Sequence, residues 1–307
     1  MRLFLLYTVI DSGNYIQMSP SLLFTRKHLK IIRNVSMQPG YSDSYSDIGH
    51  PNRVWTVPAI HGHLPELKAL HDHILEHIKP GDRIVYHGNY TGYGEHAAAC
   101  ITEILTFRRM ALAMPGMLAN DILYLRGRQE LILEKLFQLH FAPDAANVLL
   151  WMLGNGLSST LYSYGLSPHD GVEACRSGCI NITKWVNTVR KAIRAQPGHE
   201  IFMNQLKRAV YTDQDGHYPM LFVHAGLKPC HTLYEQGDHL WWATDDFKTI
   251  EHAYKPFGKV IRGFDPDRGG LNLNCITATV DDSCGFGGKL ISVGFEADGA
   301  VAKVLEI

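Results

Sequence analysis

Apolar residues along the middle of the chain change period in a regular way. Arg53–Val57 is a short apolar run, which predicts a strand. Leu64–Ile78 places Leu67, Leu70, Ile74, Leu75 and Ile78 at helical spacing. Arg83–His87 predicts a second strand after the turn Pro80-Gly81-Asp82, Glu95–Ala113 a second helix, Ile122–Arg126 a third strand and Gln129–Leu139 a third helix. Strands separated by helices of this length predict parallel pairing with crossover helices, and so an α/β fold. From Pro143 to Arg208 the period is helical, broken by Gly154-Asn155-Gly156 and Pro168-His169-Asp170-Gly171, as in an inserted cap. Strands then return at Val210–Thr212, Met220–His224, Lys259–Arg262, Gly270–Asn274, Lys289–Phe295 and Ala300–Leu305. Their connections look short, which predicts antiparallel pairing.

Residues 1–50 stand apart as an N-terminal extension to a domain spanning 51–307. Met1–Ile10 is apolar but lacks a basic start and a cleavage site, so it predicts a strand rather than a signal peptide. Ser42–Gly49 is rich in Ser, Tyr and Asp and predicts a loop. No stretch approaches the roughly 18 uncharged apolar residues of a membrane span.

The chain has 307 residues, 46% of them hydrophobic, enough for a sizeable core. With 29 Lys plus Arg against 30 Asp plus Glu, there is no overall field to draw nucleic acid. The six cysteines form no CxxC pair, which predicts free thiols in a reducing, cytoplasmic compartment; Cys175 and Cys179 are one turn apart if helical.

In open α/β sheets, ligands sit in the loops after the carboxyl ends of strands. Five such loops can be read: Pro58–His63, Gly88–Gly94, Arg126–Glu130, His224–Gly226 and Gly263–Pro266. Each joins glycine, which lets the backbone turn tightly, to a polar or aromatic residue. Any one alone is an ordinary turn; the set of five in order is not.

In that order the loops resemble the motifs GDxHG, GDxVDRG, GNHE, HAG and GH of the calcineurin-like metallophosphoesterases, especially the small bacterial Ser/Thr phosphatases. The flanks resemble them too: Arg53-Val54-Trp55, Gly81-Asp82-Arg83, Leu125-Arg126-Gly127, Leu221–Leu227, Phe257–Val260, Leu271-Asn272-Leu273 and Gly287–Leu290. Trp151–Gly165 is similar to the family's helical segment. The resemblance spans residues 53–307 and implies a four-layer α/β/β/α sandwich with a helical cap. It also implies a two-metal hydrolase, whose cations lie about 3.5–4 Å apart and need anionic oxygen ligands.

Carried over residue by residue, those ligands are mostly replaced. Ala59 stands for the first Asp, with His61 kept. Asn89 stands for the bridging Asp, Gly92 for the next Asp and Tyr93 for the phosphate-binding Arg. Arg128 stands for the Asn, Gln129 for the His that protonates the leaving group, and Phe264 for the last His; His224 is kept. A dication about 4 Å from the Arg128 guanidinium would be repelled by roughly 8 kcal/mol at an effective dielectric near 20. The resemblance with these departures implies a catalytically inactive pseudophosphatase without a cofactor. Its vestigial pocket, His61, Asn89, Tyr93, Arg128 and His224, would bind an anion, a phosphoprotein or another protein partner. Arg128 suits that role through its forked donors, or it pairs with Glu130 or Asp265.

Two alternatives stand beside this. In one, His61 and His224 hold a single divalent ion weakly, or His63, His87 and His96 join them in a rearranged site that keeps some phosphoesterase activity. In the other, the chain is a scaffold that works through residues 1–50, the cap and Trp241-Trp242. His71, His73 and His77 are expected on a solvated helix face.

Overall fold

The computed structural model describes residues 44–242 and 245–307. The strand expected at Met1–Ile10 and most of the N-terminal extension lie outside the described residues. Among the described residues, no helix is long and apolar enough to cross a membrane.

Parallel strands β2 (Arg53–Val57), β3 (Arg83–Tyr86) and β4 (Ile122–Tyr124) are linked by helices α1 (Leu64–His77) and α2 (Ala97–Leu112), as the periodicity predicts. A closing hairpin, β10 (Ile291–Glu296) and β11 (Val301–Glu306), adds to β2 and completes a sheet in the order β11-β10-β2-β3-β4. Within it side chains alternate between faces. Trp55, Val57, Ile84 and Tyr86 meet Leu67, Leu70 and Ile74 of α1 and Ile101 and Ile104 of α2. Val54, Val85, Val293 and Phe295 point the other way.

That second face meets a second sheet. Its strands are β1 (Tyr45–Asp47), β5 (Ala209–Tyr211), β6 (Met220–Val223), β7 (Lys259–Arg262), β8 (Asn272–Leu273) and β9 (Thr277–Thr279), in the order β1-β5-β6-β7-β9-β8. Val210, Phe222, Ile261 and Ala278 fill the layer between the sheets. The outer face of this sheet, with Leu221, Val223 and Val260, is covered by short helical turns carrying Leu233 and Leu240 and by Trp241 and Phe257 of the connecting segments. The result is the expected sandwich of two sheets between helical layers.

Three expectations are corrected. The polar stretch Ser42–Gly49 is not all loop, because β1 pairs with β5. The late strands are not all antiparallel. β6 pairs with β7 and β7 with β9 in parallel, since residues 224–258 and 263–276 form connections long enough to return the chain to the same end each time. His71 is not solvated. It is buried, stacks on Phe107 and bonds to both Tyr86 and Glu103.

The insertion between β4 and β5 is helical, with α3 (Arg128–Leu136), α4 (Ala145–Met152), α5 (Ser158–Ser163), α6 (Pro168–Arg176), α7 (Cys179–Ala195) and α8 (His199–Asn204). Its core joins Leu133 and Leu136 to Leu149, Leu161, Trp185 and Val189. Gly154-Asn155-Gly156 lies in a π-turn between α4 and α5, while Pro168 opens a helix instead of breaking one, a position its fixed φ suits. Gly171 is needed where α6 meets α7, because a Cβ there would come 2.4 Å from Trp185. All six cysteines are free, and Cys175 and Cys179 lie on different helices.

Candidate functional site

The strand-end loops expected to carry the chemistry do converge. His61 and Ile60 amides both donate to the Asn89 carbonyl, Gly62 to that of Tyr90, and Ala59 to that of Gly263. His61 and Asn89 both have positive φ, 52° and 55°, unusual for non-glycine residues. A single buried carboxylate organises the second loop. Glu130 accepts the amide N–H groups of Asn89, Tyr90, Thr91 and Gly127, and the Thr91 hydroxyl, at 2.9–3.2 Å. Burial pushes its pKa up, and the amide donors oppose that. Asp265, for its part, pairs with Arg262 at 3.0 Å. Neither acid is spare for a cation.

His61 and His224 differ. The Nε2 of His224 accepts the Arg128 amide N–H at 3.1 Å, and its Nδ1–H donates to the His87 carbonyl at 2.5 Å. One bond takes the ring's lone pair and the other its proton, so the neutral tautomer is fixed from both sides. The ring stacks on Phe264, 5.3 Å away at 9°. His61 is buried among Tyr93, Phe264 and Phe286. Its Nε2 meets the Asn89 amide at 3.4 Å, and its Nδ1 has no hydrogen-bond partner. Burial lowers the pKa of both His61 and His224 to about 3.

The other matched positions are closed in the same way. Ala59 and Phe264 cluster with Ala225 and Phe286. Asn89 Oδ1 accepts the Gln129 amide N–H at 2.9 Å. Gln129 and Arg128 both reach the cap. Gln129 Nε2 donates to the Asn155 carbonyl, and Arg128 donates to Asn155 Oδ1 while lying 4.6 Å from the Trp242 ring. Gly92 has φ 133°, and a Cβ there would sit 2.7 Å from His61 Nδ1. Gly92→Asp is therefore expected to destabilise the fold by about 2 kcal/mol or more, read from urea denaturation. A variant as stable as the parent would refute that crowding.

These residues do not fit a pair of divalent cations. Apolar side chains hold two of the ligand positions, an amide and an arginine hold two more, and His224 has no free lone pair. Among the described residues, no group of three or more His, Cys, Asp or Glu is placed to hold a metal. A single ion at His61 and His224 would first have to break the bond from the Arg128 amide. The five histidines of the rearranged site do not converge either. His87 turns between the sheets onto the Val223 carbonyl, while His96 is exposed.

Some participants escaped the sequence reading. Asn155 was legible only as a helix breaker, Glu130 only as an ion-pair candidate, and Phe286 only through the neighbouring Gly287-Gly288. Arg268, exposed and 3.6 Å from the Phe286 ring, had no signal at all. Trp241 belongs to the core and donates its indole N–H to the Arg126 carbonyl, as expected for one of the tryptophan pair.

No family model matches the chain, and no curated protein matches it at a significant level. Several solved structures are similar in outline. One assigned as a diadenosine tetraphosphatase has TM-score 0.48 and 14% identity, over 86% of this chain and 97% of the other. A mutant cold-active protein tyrosine phosphatase has TM-score 0.47 and 13% identity, over 85% and 82%. A Saccharomyces cerevisiae protein serine/threonine phosphatase has TM-score 0.46 and 15% identity, over 86% and 81%. At such values the likenesses say nothing of what this chain acts on.

Proposed function

We propose that this chain is a cytoplasmic pseudophosphatase: a phosphoesterase-type sandwich that binds a phosphorylated or otherwise anionic protein partner without hydrolysing it. One observation carries the reading. His224, a retained ligand of the implied two-metal site, is closed on both ring nitrogens by backbone groups, with Phe264 stacked on its face. Two-metal chemistry needs carboxylates to balance the charge, and the matched positions supply none. Anion recognition is supported by the guanidinium groups of Arg128 and Arg268. Arg128 lies on the Trp242 ring and Arg268 on Phe286, which packs against His61, and after burial both add to the lowering of the His61 pKa.

One preparation tests both halves. Purified protein is expected to carry well under one equivalent of transition metal by mass spectrometry, and to hydrolyse an aryl phosphate with Mn²⁺ no faster than a blank. Tungstate and phosphopeptides are expected to raise the melting temperature. Saturation at about 100 times Kd corresponds to roughly 2.7 kcal/mol, and Arg128→Ala should abolish most of it. Two bound metals with turnover would refute the pseudoenzyme reading. No shift with any anion would refute the anionic-partner reading and favour a scaffold.

A further inference from the structure

On the far side of Glu130 from the strand-end loops, helices α3, α7 and α8 leave a cavity of about 360 Å³. That size is at the lower end of small-molecule sites, which run from roughly 300 to 1,000 Å³. Its lining divides into two kinds. Leu133, Ile193, Met203 and Leu206 make an apolar floor. Three arginines stand in the wall, and two are already neutralised: Arg126 pairs with Glu134 at 2.6 Å and Arg194 with Glu200 at 2.7 Å.

Arg190 is the third. Its guanidinium lies 5.0 Å from the Phe137 ring and donates to the Phe137 carbonyl at 3.3 Å. Among the described residues it makes no ion pair. The remaining acid in the wall, Glu130, is turned toward the amide groups of the 88–91 loop and Gly127. Arg190 is thus the one arginine of the wall without a carboxylate partner, and it stands beside an apolar floor. The aromatic ring behind the guanidinium holds it in place and restricts its hydration, which suits it to a carboxylate or phosphate.

We infer that this cavity is a binding site for a small amphipathic anion, its charged head on Arg190 and its apolar body on Leu133, Ile193 and Met203. The inference does not depend on the function proposed for the loops around His61.

Octanoate, octan-1-ol and inorganic phosphate separate the components. Octanoate is expected to shift the backbone amide resonances of Ile193 and Met203 saturably in the full-length chain. The alcohol, with the body but no charge, and phosphate, with the charge but no body, should each bind at least tenfold more weakly. Arg190→Met should weaken octanoate binding at least tenfold, Arg190→Lys should retain part of it, and Arg128→Ala should leave it unchanged. Octanol binding as tightly as octanoate, octanoate shifts confined to other regions, or an Arg190→Met variant with parental affinity would each overturn the inference. If Arg190→Met does not melt cooperatively, Met203→Trp, which fills the floor and keeps the cation, replaces it. A folded Met203→Trp protein that binds octanoate as the parent does would equally overturn it.

Discussion

Glu130→Ala is expected to cost at least about 4 kcal/mol of folding stability, a large share of the roughly 5–15 kcal/mol that a domain of ordinary stability has to lose. The buried carboxylate is the acceptor for four backbone N–H groups and one hydroxyl. Alanine removes every acceptor at once and leaves the donors of Asn89, Tyr90, Thr91 and Gly127 buried. Each unsatisfied group costs about 1–3 kcal/mol. Glu130→Gln keeps the shape and one accepting oxygen, so its loss should fall between alanine and the parent. Urea denaturation, with midpoint and slope both fitted, measures the difference. A loss below 1 kcal/mol for Glu130→Ala would mean that the loop finds other acceptors. It would also mean that the frame around His61 is not held from beneath.

Acid should unfold the protein through its buried histidines. His61 and His224 have folded-state values of about 3 and His87 of about 4, each lowered first by burial from 6.5. The native form is the neutral one, so below 6.5 the unfolded chain binds protons that the folded chain refuses. The stability they supply is complete above about pH 6.5 and falls as pH drops from there toward 3. At pH 5 each group has lost about 2 kcal/mol by linkage, some 6 kcal/mol for the three. His199, lowered by burial to about 4, adds a fourth such group, whereas Asp281, which burial pushes up to about 6, acts in the opposite sense. A net loss of roughly 6 kcal/mol between pH 7.5 and pH 5 is expected from urea midpoints. His224→Gln, which takes one titrating ring away, should flatten the dependence. A stability that does not change over that interval would show that the rings are hydrated in solution.

How far the chain could be read in advance depended on which contacts decide each feature. The crossover units β2-α1-β3-α2-β4 were legible because adjacent segments pair and their apolar periods are strong. β9 went unread because Thr277–Thr279 has little apolar signal and gains its place by pairing with β7. The parallel pairing of β6 with β7 also had no local mark, since direction is set by the long connection crossing the sheet. At the site, the residue type at each strand-end position was visible one by one. The sequence could not place the proton of His224, the acceptors of Glu130, or the reach of Asn155 from the cap into the loops.

Sequence by itself determined the alternation of strands and helices, the order of the strand-end loops, and which residue types stand where cations would need ligands. Local spacing and side-chain chemistry are enough for that. Tertiary structure decided whether the remaining groups were still available. A lone pair, a buried acid or an arginine is committed only by its neighbours, and those neighbours come from distant parts of the chain: Arg128 for His224, the 88–91 loop for Glu130, and Asn155 and Trp242 for Arg128.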